Sequence, residues 1–293
     1  MDGIVILDKP EGISSNSAAN RVKKILGAAK AGHAGTLDPM ASGVLVVLLG
    51  KAARLSEYIT SENKEYSAQI KFGLMTDTLD VWGKILTEQQ PDVSREDFLA
   101  VLAQFHGESF QVPPSVSAVK IAGKPLYKYA REGKMLTAEA RKIFIHSAEM
   151  TAENLPYTAD INVVCSKGTY IRSLCRDIGE KLSVPAVMSA LIRTASGKYR
   201  LSDAVSFGDI EAAAASGTAE NIVLSMDDAA DSLIRADAAD EFYDKLLCGN
   251  KIYTRTETPP GTTVKIYCRG RFCAVGIAEE DGIKPQKVLA DKS

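Results

Sequence analysis

Residues 32–54 read GHAGTLDPMASGVLVVLLGKAAR. Residues 44–49 are six apolar residues in succession, which predicts a buried strand. Ahead of them Gly32, Gly35 and Gly43 punctuate a segment carrying His33 and the pair Asp38–Pro39, which predicts a loop. A loop held by a rigid strand is where binding and catalytic groups concentrate. Pro39 disfavours helix at Asp38 and keeps the backbone extended there. The neighbouring glycines let a ligand approach closely. Two readings of Asp38 stay open on these residues alone: a carboxylate presented to a ligand, or an Asx side chain that bonds its own turn.

Working outward, residues 3–7 predict a strand, and Lys9–Pro10–Glu11–Gly12 a turn. Ser14 or Ser15 caps a helix to about residue 26, with Ala18, Val22 and Ile25 at helical spacing. A short helix is expected over 51–60. Strict alternation over 66–72 predicts a half-buried strand, followed by a polar loop over 76–80 and a short strand over 83–87. Ser94 with Asp97 marks the start of a helix running to residue 105. Strands are expected over 116–121, 143–150 and 159–165, and residues 187–195 read as a returning strand or, as the alternative, a helix. Helices are expected over 124–131, 169–182, 207–215 and 238–248. Three short strands follow over 263–268, 271–277 and 286–289, with Arg269–Gly270 as a tight hairpin turn.

The chain has 293 residues and a net charge of −2. That balance argues against a bulk polyanion binder, but its distribution is uneven. Residues 20–33 hold four basic side chains and no acid, residues 120–142 carry a net +5, and residues 202–244 a net −10. Such runs are either solvated faces or a polyanion-binding side with an acidic back. The five cysteines form no C-x-x-C pair, and three histidines are poor company for a zinc site. They read as reduced thiols, and no metal is expected. The start MDGIVILDKPEG lacks a basic n-region and no apolar run approaches membrane length, so a cytoplasmic location without membrane attachment is expected.

His33 either stacks on or bonds a base, or serves as a structural histidine in a glycine turn. Tyr66 beside Lys64 reads, in isolation, as a core tyrosine. The segment CSKGTYIRSLCRD (165–177) is more informative. It places Tyr170 and Arg172 at a helix start, where the macrodipole favours anions. Arg172 therefore needs a carboxylate or phosphate partner.

Together these stretches resemble the TruB family of tRNA pseudouridine synthases. The likeness is carried by GIVILDKPEGISSN, GHAGTLDPMASGVL, KEYSAQIKFGLMTDTLD, VPPSVSAVKIAGKPLYKYAREG and CSKGTYIRSLCRDIGEKL, and more weakly by SALIRTASGKY, in order over about residues 1–200. The resemblance implies an α+β pseudouridine-synthase fold, a mixed and largely antiparallel sheet flanked by helices, over residues 1–228. Residues 229–293 would be a small β-rich, PUA-like accessory domain, and about 122–141 an insertion that clasps RNA.

The family's catalytic aspartate falls on Asp38, its active-site tyrosine on Tyr66 and its arginine on Arg172, paired with the carboxylate. Its histidine falls on His33, and Tyr170 and Leu191 match further pocket positions. Lys9, Pro10 and Lys64 match motif positions. Within the clasp, Lys124, Lys128 and Arg131 are the expected RNA contacts. The implied activity is isomerisation of uridine at position 55 in the T loop of tRNA, with base flipping and no cofactor. The chain is expected to act as a monomer on the T arm without a protein partner. Two rivals are a chaperone that opens the T arm, which would need only the basic clasp, and a small-molecule nucleosidase, which would not use two basic segments.

Overall fold

The computed structural model of the chain describes residues 1–60, 63–254 and 257–291. Residues 255, 256, 292 and 293 of the expected tail domain lie outside that description. In chain order the first elements are β1 (Gly3–Lys9), α1 (Ser15–Ile25), β2 (Ala31–Ala34), β3 (Ser42–Leu49), α2 (Ser56–Thr60), β4 (Lys64–Phe72), β5 (Leu74–Thr76) and β6 (Ile85–Glu88). Next come α3 (Arg95–Ala103), β7 (Gly107–Gln111), β8 (Lys120–Ile121), β9 (Lys124–Pro125), α4 (Leu126–Arg131), β10 (Arg141–Asn154) and β11 (Thr158–Cys165). Then α5 (Ile171–Lys181), β12 (Ala186–Ser196), β13 (Tyr199–Arg200), α6 (Phe207–Ser216) and α7 (Met226–Ala229) complete the body. The tail holds β14 (Ile234–Asp237), α8 (Tyr243–Leu247), β15 (Thr263–Cys268), β16 (Arg271–Glu279) and β17 (Gly282–Val288).

A nine-stranded sheet runs β1–β3–β12–β4–β11–β10–β7, with β2 added to β3 and β13 to β12. Only the β3–β12 pairing is parallel; every other ladder in this sheet is antiparallel. This is the mixed, largely antiparallel sheet expected from the sequence. β3 is buried on both faces, which explains its unbroken apolar run. Alternate residues of β1 and β3 serve two cores. Val5, Leu7, Leu45, Val47 and Leu49 pack with α1, α3, α5 and α6 on one face. Ile4, Ile6, Val44, Val46 and Leu48 pack on the other with Ala52, Leu55, Ile59, Val275 and Leu289.

β2 and β12 share one edge of β3. β2 pairs along Val46–Leu49, whereas β12 meets only Ser42 and Gly43. The sheet therefore splits there, and the connection 35–41 emerges at the split. Gly43 has φ +96, and a Cβ on it would lie 2.3 Å from the Arg193 carbonyl oxygen. The close parallel contact needs a glycine at that point.

Several expectations need correction. Residues 31–34, read as loop, form β2. Residues 116–121 form a strand only at Lys120–Ile121, because the backbone before it bonds elsewhere: the Val116 carbonyl accepts from Arg172, and the Ser117 and Val119 carbonyls accept from Tyr127 and Leu126. Residues 238–248 hold a short 3-10 turn and the five-residue α8 rather than one helix. The tail sheet also has four strands, not three, in the order β14–β15–β16–β17. β17 starts at Gly282, earlier than expected; its Pro285 is tolerated because β17 is an edge. The Arg269–Gly270 turn has φ +52 and +69, the left-handed pair of a primed hairpin turn.

Candidate active site

The split in the sheet fixes a cleft of about 270 Å³. Its floor and walls include Asp38, Tyr66, Tyr170, Arg172, Leu191 and Arg193. The 35–41 connection is held from below: Ser15 Oγ donates to the Leu37 carbonyl and accepts from the Leu37 amide, both at 2.8 Å. The Gly12 amide donates to the Pro39 carbonyl at 2.8 Å. The helix start and the first turn thus set the position of Asp38.

Arg172 grips that carboxylate with two bonds. Its Nε donates to Oδ2 at 2.8 Å and its Nη2 to Oδ1 at 3.0 Å. The same guanidinium donates to the Thr78 carbonyl at 2.8 Å and the Val116 carbonyl at 3.0 Å. Arg172 is 4% exposed, and its Nη1 lies 3.7 Å from Asp80 Oδ2. A planar fork with four acceptors is fixed in orientation, which a lysine could not reproduce. The Asp38 side chain keeps 33% of its surface, so the carboxylate is oriented from behind and open in front. Among the described residues it accepts from Arg172 rather than bonding its own turn.

Helix α5 carries Arg172 in its first turn. No side chain caps its start at Tyr170. Gln111 braces it instead: its amide oxygen accepts from the Tyr170 amide at 2.8 Å, and its nitrogen donates to the Tyr170 carbonyl at 3.1 Å.

Tyr66 sits in β4 directly opposite Arg193 of β12. Burial pushes the Tyr66 phenol upward, against the lowering effect of nearby Arg193. Burial likewise raises Tyr170. Both present neutral rings to the cleft. Lys64, buried at the start of β4, and Leu191 line the same cleft.

The other expected site residues lie elsewhere. His33 faces an adjoining hollow with Thr36, Tyr58 and Lys167; its Nε2 is 3.0 Å from Thr36 Oγ1. Burial, reinforced by Arg193, lowers its pKa, so the ring is neutral at pH 7. Lys9 lines no part of the cleft. It is fully buried, and its Nζ donates to the Pro10 and Ile13 carbonyls at 2.8 and 2.9 Å. Lys124 pairs with Glu132 and stands 4.4 Å over the Tyr129 ring. Arg131 stands 5.4 Å over the Tyr127 ring, and Lys128 is exposed. These three lie on the insertion outside the cleft, while Ser117 and Ala118 at its base line it.

Arg193 and Asp80 were not singled out from the sequence. Arg193 is 1% exposed; its Nε donates to the Val44 carbonyl at 2.7 Å and its Nη2 to the Gly35 carbonyl at 2.9 Å. It stitches the two strands that part at the split. The available signal was a cation inside the apolar run ALIRTA. Asp80 had a weaker signal, a second acid in TDTLD. Its carboxylate accepts from Thr78 Oγ1 at 2.8 Å and from the Trp82 amide at 3.1 Å. Among the described residues no three His, Cys, Asp or Glu side chains are grouped as metal ligands, and no helix is long and apolar enough to cross a membrane.

Residues 23–171 match the model described as TruB family pseudouridylate synthase, N-terminal domain. Residues 172–235 match that of the tRNA pseudouridylate synthase B C-terminal domain, which stops where the tail sheet begins. The chain is 38% identical to tRNA pseudouridine synthase B of Chromobacterium violaceum, over 100% of this chain and 96% of the relative. It is 41% identical to tRNA pseudouridine synthase B of Geobacillus kaustophilus, over 85% of this chain and 90% of the relative. A chain in the crystal structure of a Cbf5–Nop10–Gar1 complex superimposes with a TM-score of 0.75 at 26% identity, covering 98% of this chain and 84% of that one.

Proposed function

The chain belongs to the TruB family of pseudouridylate synthases, and from that premise we propose that it isomerises uridine 55 in the T loop of tRNA through Asp38. The observation that carries this is the two-bonded Asp38–Arg172 pair, open on one side to a cleft faced by Tyr66. The reaction is an isomerisation without net redox change. The bond from uracil N1 to the sugar breaks, a bond from C5 to the same carbon forms, C5 loses a proton and N1 gains one.

Asp38 acts at the sugar, as nucleophile on the glycosidic carbon or as base on the neighbouring one. Arg172 holds both carboxylate oxygens and offsets their charge. Tyr66 stacks on the uracil and, as a neutral phenol, assists proton movement at C5. Leu191 and Tyr170 close the pocket on a base turned out of its loop, and the neutral ring of His33 holds a second displaced base beside it. Lys64 supplies positive charge at the cleft floor. Lys9 and Pro10 act indirectly by fixing the turn beneath Asp38.

The basic insertion meets phosphates of the T arm through Lys124, Lys128 and Arg131. In this reading the chain acts as a monomer in the cytoplasm, without a protein partner. The tail from about residue 229 acts as a supporting domain. Opening of the T arm as a chaperone is a second reading, favoured by the basic segment alone; the gripped carboxylate favours catalysis.

The test is to incubate unmodified tRNA transcript with wild type and with Asp38→Asn, then map pseudouridine. Wild type is expected to modify the T-loop uridine, and the variant to be slower by at least about a thousandfold. Absence of product from wild type would refute the enzymatic reading. A variant as fast as wild type would remove Asp38 from the chemistry.

A further inference from the structure

The hairpin of β5 and β6 leaves three large apolar side chains in solvent. Trp82 is 58% exposed, Ile85 55% and Leu86 60%. Trp82 is the single tryptophan of the chain. Scattered exposed apolar residues need no explanation, but three within five positions make both sides of this hairpin tip apolar, since Ile85 and Leu86 are consecutive on β6.

The loop bearing Trp82 is fixed from several sides. Its amide donates to Asp80 Oδ1 at 3.1 Å. Thr76 Oγ1 donates to the Asp80 carbonyl at 2.7 Å, and the Lys84 amide to Asp77 Oδ1 at 2.8 Å. The Val81 amide donates to the Met188 carbonyl and the Met188 amide to that of Leu79, both at 3.1 Å, which ties the loop to β12. Leu79 takes a left-handed φ of +63 to allow this. A Cβ on Gly83 would lie 2.2 Å from Thr78 Oγ1. A large aromatic ring is thus presented from a preformed turn, at little ordering cost on binding.

Its place matters as much as its rigidity. Three segments converge on the Arg172 guanidinium: the catalytic loop through Asp38, this hairpin through Thr78 and Asp80, and the root of the basic insertion through Val116. The hairpin is therefore anchored to the arginine that holds Asp38, beside the root of the +5 segment. Exposed Lys84 stands two residues from Trp82. A flat apolar face beside cations fits a nucleobase with its phosphate.

We propose that Trp82, flanked by Ile85 and Leu86, is a stacking platform for an unpaired base of the substrate RNA outside the reacting nucleotide. This rests on the cleft being an RNA-modifying site.

Because Trp82 is the only tryptophan, its emission reports the contact directly. Full-length protein is titrated with unmodified tRNA transcript, and pseudouridine is mapped in the same samples. Saturating transcript is expected to quench the emission by about half or more. Trp82→Ala is expected to bind transcript about tenfold more weakly, and Trp82→Phe within about twofold of wild type. The loss should fall on KM rather than on the single-turnover rate at saturation. If transcript binds and is isomerised with emission unchanged, or if Trp82→Ala binds as wild type does, the platform is overturned while the catalytic reading stands. If emission is quenched and Trp82→Ala weakens binding but no pseudouridine forms, the platform stands and the catalytic reading falls. If transcript does not bind at all, both fall.

Discussion

A buried cation without a carboxylate of its own has to be answered by dipoles, and Lys9 is such a case. Its ammonium is held by the Pro10 and Ile13 carbonyls, in the turn that bonds the Asp38 loop. Burial lowers its pKa from 10.5 to about 8, against the raising influence of Asp38 and Glu11. Below pH 8 the folded and unfolded chains both carry the proton, and the folded state bears the full penalty of a buried charge. Between about 8 and 10.5 the folded amine is neutral while the unfolded one is still charged, so the penalty is relieved as pH rises. Wild type should therefore gain roughly 3 kcal/mol relative to Lys9→Met between pH 7 and pH 10.5. Denaturant unfolding of both proteins across that range checks this; a flat difference would mean that Lys9 carries no buried charge. Roles of this kind separate what the sequence discloses from what it hides. Arg172 was legible because a cation at a helix start conflicts with a local rule. Asp38 was legible as a carboxylate on a glycine-rich loop. Lys9 acts on carbonyls of the turn that follows β1, and Arg193 on carbonyls beside the split between β2 and β12; both partners are set by the folded backbone and not by either segment's own pattern.

At the scale of elements, α5 and β12 form one positioning unit. α5 brings Arg172 to the cleft, and β12 brings Leu191 and Arg193. They meet tightly at Gly179, where a Cβ would stand 2.5 Å from Ala186 Cβ and 2.6 Å from the carbonyl oxygen of Val184 in the connection between them. Helix propensity alone would favour alanine there by about 1 kcal/mol. The clash is with backbone and cannot be relieved by a rotamer, so packing wins. Gly179→Ala should lose about 1–3 kcal/mol of stability and lower activity by tilting α5 and displacing Arg172. Thermal unfolding and single-turnover assays check both; an unchanged or raised midpoint would show that α5 and β12 tolerate separation. Elements with a strong period, such as β4, α1 and α5, were legible because their burial follows the same period. β7 was missed because Gly107–Gln111 is a polar edge strand whose ladder to β10 leaves no apolar alternation. The expected strand at 116–121 failed for the converse reason: apolar residues were present, but Arg172, Leu126 and Tyr127 claim the backbone.

Over the whole molecule, charge and core pull the ends of the chain into different roles. The basic insertion projects beside the cleft, and its Lys124, Lys128 and Arg131 are expected to set much of the salt dependence of tRNA binding. Replacing all three with Gln should reduce the slope of log affinity against log salt by about 2–3; an unchanged slope would remove them from the RNA contact. The tail does the opposite work. From the tail, Val275 and Leu289 enter the same core as Ile4, Val44 and Val46, while Arg54 donates to the Val288 carbonyl and Lys198 pairs with Asp231. All but the Lys198–Asp231 pair join residues more than two hundred positions apart, and no local pattern encodes them. They also cover the second face of β1 and β3, whose residues are almost wholly inaccessible. A face of that kind, uncovered, is a large apolar patch on an otherwise ordinary surface. The body and the tail should therefore unfold together, in one cooperative transition by calorimetry, and a chain ending at residue 233 should aggregate or melt well below the full chain. Two separate transitions, with the truncated chain melting at the temperature of the first, would show instead that the tail sheet is an independent unit resting on a body already complete without it.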